Sequence, residues 1–166
     1  FMVAIVLLSF SLFGVIYVVG LGGYCLFIRN IEYCGRLIIF LFFIVWFGDI
    51  VAYYWGKNFG KKPLAPIISP NKTIEGSIAG LAGSLVAGAI SGYWFLDHIA
   101  MLHCLLVALI CGIIGQFGDL AESLLKRQAG IKNSGNVLPG HGGILDRIDS
   151  LLFAGPAFYC YFKLIL

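Results

Sequence analysis

Charge is what this sequence has least of. Asp, Glu, Lys and Arg make up 11% of its 166 residues while 60% are hydrophobic, against about 25% charged and roughly 45–50% apolar in an ordinary soluble domain. That scarcity excludes a chain whose only solvent is water. Cysteine pairs are also missing: Cys25, Cys34, Cys104, Cys111 and Cys160 form no CxxC and mostly lie in apolar runs. Neither a zinc ribbon nor a disulfide framework is suggested, and the thiols read as small packing groups. There is no Arg/Lys-rich tail, low-complexity tract or internal repeat, so no nucleic-acid partner is expected. Residues 1–28 lack a basic n-region and a small-residue cleavage site, which excludes a signal peptide. The chain opens on Phe1 and its apolar text begins at once, so it is expected to be the C-terminal portion of a longer protein.

What is present is a series of apolar runs. A spanning helix needs about 20 apolar residues, because hydrocarbon offers exposed backbone groups no partner. Five stretches qualify: 1–28, with a break expected at Gly20, Gly22 and Gly23; 37–55, interrupted only by Asp49; 77–96; 99–125, apolar until Asp119; and 151–166. The expected fold is therefore all-α, a polytopic membrane bundle of about five transmembrane helices. Gly76, Gly80, Ser84 and Gly88 recur every fourth residue, a small-residue stripe expected to pack closely on a neighbouring helix.

Two long polar loops, 56–76 and 126–150, fall on the same side of a five-span bundle. They carry Lys57, Lys61, Lys62, Lys72, Lys126, Arg127, Lys132 and Arg147, against Arg29 and Arg36 in the short connections opposite. The positive-inside rule makes the long-loop face cytoplasmic.

Four constellations lie on that face. Asp49 stands roughly 9 Å inside the second span at helical rise, where an acid needs a wet cavity, a cation or a basic partner; it reads as a site residue or as a carboxylate satisfied by a neighbouring helix. Tyr53, Tyr54 and Trp55 read as an interfacial belt. Ser69, Lys72 and Thr73 end a proline-stiffened loop beside a helix start, where free amides and the positive dipole end favour an anion such as a triphosphate; Thr73 could equally be only an N-cap. Asp119, Glu122, Ser123 and Lys126 are spaced i, i+3, i+4, i+7 and share one face if the helix continues, either as a site or as a solvated end with internal Glu–Lys pairing. Finally, Gly140, Gly142 and Gly143 around His141 let backbone amides approach an anion, and Asp146 and Asp149, one turn apart, suit a hard cation; taken singly, Asp149 could equally be an N-cap of the last helix and His141 a loop histidine.

The run Ser123 to Asp149, S-L-L-K-R-Q-A-G-I-K-N-S-G-N-V-L-P-G-H-G-G-I-L-D-R-I-D, resembles the long signature of the phosphatidate cytidylyltransferase family. The run Gly48 to Gly76, G-D-I-V-A-Y-Y-W-G-K-N-F-G-K-K-P-L-A-P-I-I-S-P-N-K-T-I-E-G, resembles that family's other well-marked segment. The resemblance implies a multi-span, often dimeric enzyme of the bacterial inner membrane. It would transfer CMP from CTP to phosphatidate, releasing pyrophosphate and forming CDP-diacylglycerol, with magnesium and room for a second cation. Residues 1–166 would then form a single transmembrane catalytic domain. Catalytic roles would fall to Asp119, Asp146, Lys126 and Ser123. Substrate binding would fall to Lys72, Ser69, Arg127, Lys132, His141, Gly142, Gly143 and Arg147. Metal ligation would use Asp119, Asp146, Asp149 and Asp49. One position departs: where the signature has Lys-Asp this chain has Lys132-Asn133, which keeps a carbonyl oxygen but loses the charge. An ion-coupled transporter is the rival class, since intramembrane acids also mark ion pathways. The same chemistry on a prenyl-type lipid phosphate is the nearer alternative.

Overall fold

The computed structural model describes residues 8, 12, 14–131, 134, 143 and 145–165. Five helices dominate. The first, α1, runs Ile16–Asn30, then α2 Cys34–Phe59, α3 Ile74–Trp94, α4 Met101–Gln128 and α5 Leu145–Leu164. Between α2 and α3 a short antiparallel hairpin pairs β1 (Pro63–Ala65) with β2 (Ser69–Thr73). The all-helical expectation holds apart from this hairpin. It forms in the proline-bearing loop because Pro63 stands at the first position of β1, where a missing N–H costs a ladder little.

Among the described residues three helices, α2, α3 and α4, are long and apolar enough to cross a membrane. Five were expected. The first expected span lies partly outside the described residues, and its described part, α1, has 15 residues. The fifth expected span sits within α5, whose first turns carry Asp146, Arg147 and Asp149 and so dilute its hydropathy. No break appears at the Gly20 to Gly23 cluster. Instead the winding changes from π over Ile16–Leu21 to α over Gly22–Phe27, with helical dihedrals kept at the junction.

The core joins Phe40, Leu41 and Ile44 of α2 to Cys104, Val107 and Cys111 of α4 and to Leu151, Ala154 and Phe158 of α5, all buried. Large apolar side chains also cover the outside: Trp46, Ile50, Ile78, Val86, Ile113 and Phe117 are exposed. A helix apolar on all sides is stable only where its outer face meets hydrocarbon. Exposed aromatics gather at both ends, Tyr53, Tyr54 and Trp55 near one and Tyr33, Tyr93 and Trp94 near the other. Along α2, Tyr33 and Trp55 are separated by about 33 Å at 1.5 Å per residue, close to the thickness of a hydrocarbon core flanked by aromatic belts. The chain is an integral membrane protein.

The small-residue stripe packs as its spacing predicts. Gly76 and Gly80 meet α2, and Gly88 meets α4: a Cβ on Gly80 would stand 2.8 Å from the Ala52 Cβ, and one on Gly88 would stand 2.7 Å from the Ala108 Cβ. Ser84, buried in the same stripe, donates from Oγ to the Ile44 carbonyl at 2.9 Å. Close packing and a hydrogen bond thus replace the hydrophobic drive that lipid cannot supply. Gly80→Val is expected to force α2 and α3 apart and destabilise the bundle by about 1–3 kcal/mol, the usual cost of overpacking. Thermal unfolding in detergent would read this as a lowered midpoint, and an unchanged midpoint would contradict the packing described.

The alternation of helix directions puts the loop 56–76, the end of α4 and the start of α5 at one end and the two short connections at the other. At the short-connection end Arg36 donates to the Phe95 carbonyl at 3.2 Å and pairs with Asp97 at 3.5 Å. At the long-loop end Arg127 Nε donates to the Ile68 carbonyl in the hairpin turn at 3.2 Å.

Candidate active site

The end that gathers the polar segments encloses a cavity of about 530 Å³. Its α2 wall carries Asp49, Tyr53 and Lys57, its hairpin wall Ser69 and Lys72, its α3 wall Thr73 and Ser77, and its α4 wall Gln116 and Asp119. Side chains from stretches far apart in sequence therefore converge on one space. Lys72 Nζ reaches across to Asp119 Oδ2 at 2.5 Å, both side chains partly buried.

Local structure explains how each group is held. Thr73 caps α3, its Oγ1 accepting from the Gly76 amide at 3.1 Å. The Ile74 amide donates to the Lys62 carbonyl at 2.9 Å. Glu75 Oε2 accepts from the Lys61 and Lys62 amides at 3.1 and 3.2 Å. The Ile74 and Gly76 amides at the start of α3 are thus engaged by the chain itself and are not free for an anion. The N-cap reading of Thr73 is the one the geometry supports, and Lys72 with Ser69 supplies the cationic and hydroxyl lining. On the α4 side, Gln116 Nε2 donates to the Ser77 carbonyl at 2.9 Å while the Ser77 hydroxyl donates to Gln116 Oε1. This pair locks α3 to α4 just below Asp119.

Helix α4 continues through Gln128, so Asp119, Glu122, Ser123 and Lys126 do share a face. Lys126 pairs with Glu122 and, at 2.8 Å, with Asp146 of α5. Glu122 is 1% exposed. Asp146 also accepts from the Gly143 amide at 2.7 Å and from the Ser134 amide at 3.0 Å. Burial would raise its pKa, but the Lys126 ammonium and these two amides prevail and hold the carboxyl well below the usual carboxylate range. Gly143 therefore spends its amide on Asp146. Asp149, 7% exposed, lies where α5 crosses α4. A Cβ on Gly118 would stand 2.9 Å from the Asp149 carbonyl oxygen, so the glycine lets the two backbones touch and brings Asp149 beside Asp119.

The four acids expected to ligate metal fall into two groups. Asp49 and Asp119 line the cavity, with buried Asp149 beside Asp119 where α5 meets α4; Asp146 is held farther along α4 by Lys126. Among the described residues no three His, Cys, Asp or Glu side chains form a ready metal cage, as Asp119 turns onto Lys72 and Asp146 onto Lys126. Ser123, Arg127 and Arg147 lie outside the cavity wall; Ser123 is half-buried and the two arginines exposed. Lys132, Asn133, His141 and Gly142 lie outside the described residues. Sequence reasoning missed Gln116 and Ser77, which look like ordinary polar residues in apolar text. Their only signal was a polar side chain one helical turn from Asp119 and one from the cap at Thr73.

Comparison with known proteins decides what this arrangement belongs to. The profile of the cytidylyltransferase family matches residues 2–165. The chain belongs to the cytidylyltransferase family. Among curated relatives, it is 47% identical over 140 residues to the phosphatidate cytidylyltransferase of Bacillus subtilis strain 168, covering 84% of this chain and 51% of that protein. It is 43% identical over 148 residues to that of Staphylococcus saprophyticus and 47% identical over 149 residues to that of Staphylococcus aureus strain COL, covering 89% of this chain and 56% of each relative. The chain spans about half the length of the curated relatives it matches. As a cytidylyltransferase-family chain, it keeps the segment 48–76, together with Gln116 and Asp119, at the end of the bundle that holds the cavity.

Proposed function

We propose that the protein transfers CMP from CTP to phosphatidate, giving CDP-diacylglycerol and pyrophosphate, at the cavity bounded by Asp49, Lys72 and Asp119. The observation that carries this reading is the convergence of the segment 48–76 with Gln116 and Asp119 of α4 on that cavity, at the level of the aromatic belt. A lipid headgroup and a soluble nucleotide meet only at such a depth. The excess of Lys and Arg in the two long polar segments supports a cytoplasmic orientation. The all-helical architecture supports a single transmembrane catalytic domain in which α1 and α5 complete a five-span bundle.

A phosphate oxygen of phosphatidate attacks the α-phosphorus of CTP, the bond from that phosphorus to the bridging oxygen breaks, and pyrophosphate leaves with the bond's electron pair. The attacking group is already an anion, so no strong general base is needed. The chain must instead bring two anions together. Lys72 releases Asp119 to meet phosphate oxygens, and Ser69 supplies a hydroxyl donor beside it. Lys126 holds Asp146, which fixes the loop amides of Ser134 and Gly143. Asp49, Asp119 and Asp149 are the carboxylates that would hold a magnesium ion there, and they would have to draw together to do so, since they form no ready cage as they stand. When bound, magnesium would offset phosphate charge and orient the leaving pyrophosphate.

Membranes containing the protein, given radiolabelled CTP with phosphatidate or with a prenyl-lipid phosphate, should form labelled CDP-lipid from phosphatidate only when magnesium is present. Labelled product from the prenyl phosphate alone would reassign the substrate. Absence of any labelled lipid, with ion flux into liposomes in its place, would overturn the enzymatic reading.

A further inference from the structure

Asp49, Tyr53 and Lys57 lie at i, i+4 and i+8 on α2 and all line the cavity. At 1.5 Å per residue they form a ladder about 12 Å tall, from a deep carboxylate to an ammonium at the mouth. Tyr53 occupies two environments at once. It borders the cavity, yet it is 62% exposed on the apolar outer surface beside Tyr54 and Trp55. It therefore stands where the cavity meets the bilayer side. The Lys57 ammonium lies 5.9 Å from the Tyr53 ring centroid, within range of a cation–π contact. The cavity's two lysines differ in state. Lys72 is engaged by Asp119, whereas Lys57 leans on an aromatic face, which positions a cation without neutralising it.

We infer that Lys57, steadied by Tyr53, is the docking group for the phosphate of the lipid substrate, leaving the Lys72–Asp119 side of the cavity to the nucleotide. This rests on the proposed cytidylyl transfer for its substrates, but the subsite itself is defined by binding. A lipid phosphate keeps its acyl chains in the bilayer, so its headgroup reaches the cavity from the aromatic-belt side and meets Lys57 first. A nucleotide triphosphate carries the same phosphate chemistry but comes from water and has no need of the Tyr53 lip. Snorkelling suits the lysine, whose stem lies along apolar surface while its ammonium stays at the interface.

Equilibrium binding of radiolabelled short-chain phosphatidate and, separately, of CTP to the protein in detergent tests the assignment without requiring turnover. Lys57→Gln should weaken phosphatidate binding about tenfold, the usual loss for one charge-assisted contact, and leave CTP binding within about twofold. Lys57→Arg should restore most of the affinity, and Tyr53→Phe should lose less than Tyr53→Leu, because the ring and not the hydroxyl steadies the ammonium. In turnover assays the Lys57→Gln effect should fall on the KM for lipid and spare kcat. Unchanged phosphatidate binding in Lys57→Gln, or an equal loss for CTP, would overturn the subsite. Wild-type protein that binds both ligands in this pattern yet forms no CDP-lipid would uphold the subsite and overturn the proposed reaction.

Discussion

Asp119→Ala is expected to lower CDP-lipid formation by about a thousandfold or more, the scale of losing a preorganised electrostatic element at a reacting phosphate. Asp119 is the acid of α4 that lines the cavity, and it is the partner of Lys72 at 2.5 Å. Removing its carboxylate has two effects. The cavity loses an oxygen donor for a cation, and Lys72 loses the group that aims it. Asp119→Asn separates them: the amide still accepts a hydrogen bond from Lys72 but brings no charge, so a variant as inactive as alanine assigns the need to charge. Initial rates with radiolabelled CTP in membranes holding equal amounts of inserted protein make the measurement. Full activity in Asp119→Ala would remove this residue from the site and with it the proposed reaction centre.

Why Asp119 was legible in sequence while other parts of the site were not follows from what each signal is made of. A carboxylate inside an apolar run is costly without a partner, so Asp49 and Asp119 stand out in any reading of the chain. Glycine at every fourth position is likewise a direct geometric statement, and Gly80 and Gly88 meet α2 and α4 as that spacing requires. The hairpin was not legible, because three prolines over 63–70 read as a stiff loop and a two-stranded ladder this short leaves no alternating pattern. The satisfied start of α3 was hidden for a different reason. Glu75 takes the Lys61 and Lys62 amides through a chain reversal, and sequence spacing does not show which carboxylate will fold back on which backbone. The span signal is weakest at α5, where the same Asp146 and Asp149 that mark a site also lower the hydropathy that marks a span.

Lys126→Met is expected to destabilise the bundle by about 3–5 kcal/mol, the cost of breaking a buried ion pair from one side. Lys126 pairs with Glu122, whose side chain is 2% exposed, and with Asp146 at 2.8 Å. With the ammonium gone, the carboxylates of Glu122 and Asp146 on facing helices lose the cation they share. The double variant Lys126→Met/Glu122→Gln should recover most of the loss, since it removes the orphaned buried charge while keeping the volume. Unfolding in detergent gives the stabilities, and a double-mutant cycle gives the coupling. Activity then separates structure from chemistry. If Lys126 serves only to join α4 to α5, the stable double variant turns over nearly as the wild type does. If it also meets a phosphate during transfer, the double variant is as stable as the parent and still slow, and we expect this second result. Among the described residues its ammonium links α4, through Asp146 of α5, to the amides of Ser134 and Gly143, so a phosphate that drew on it would act on both helices at once.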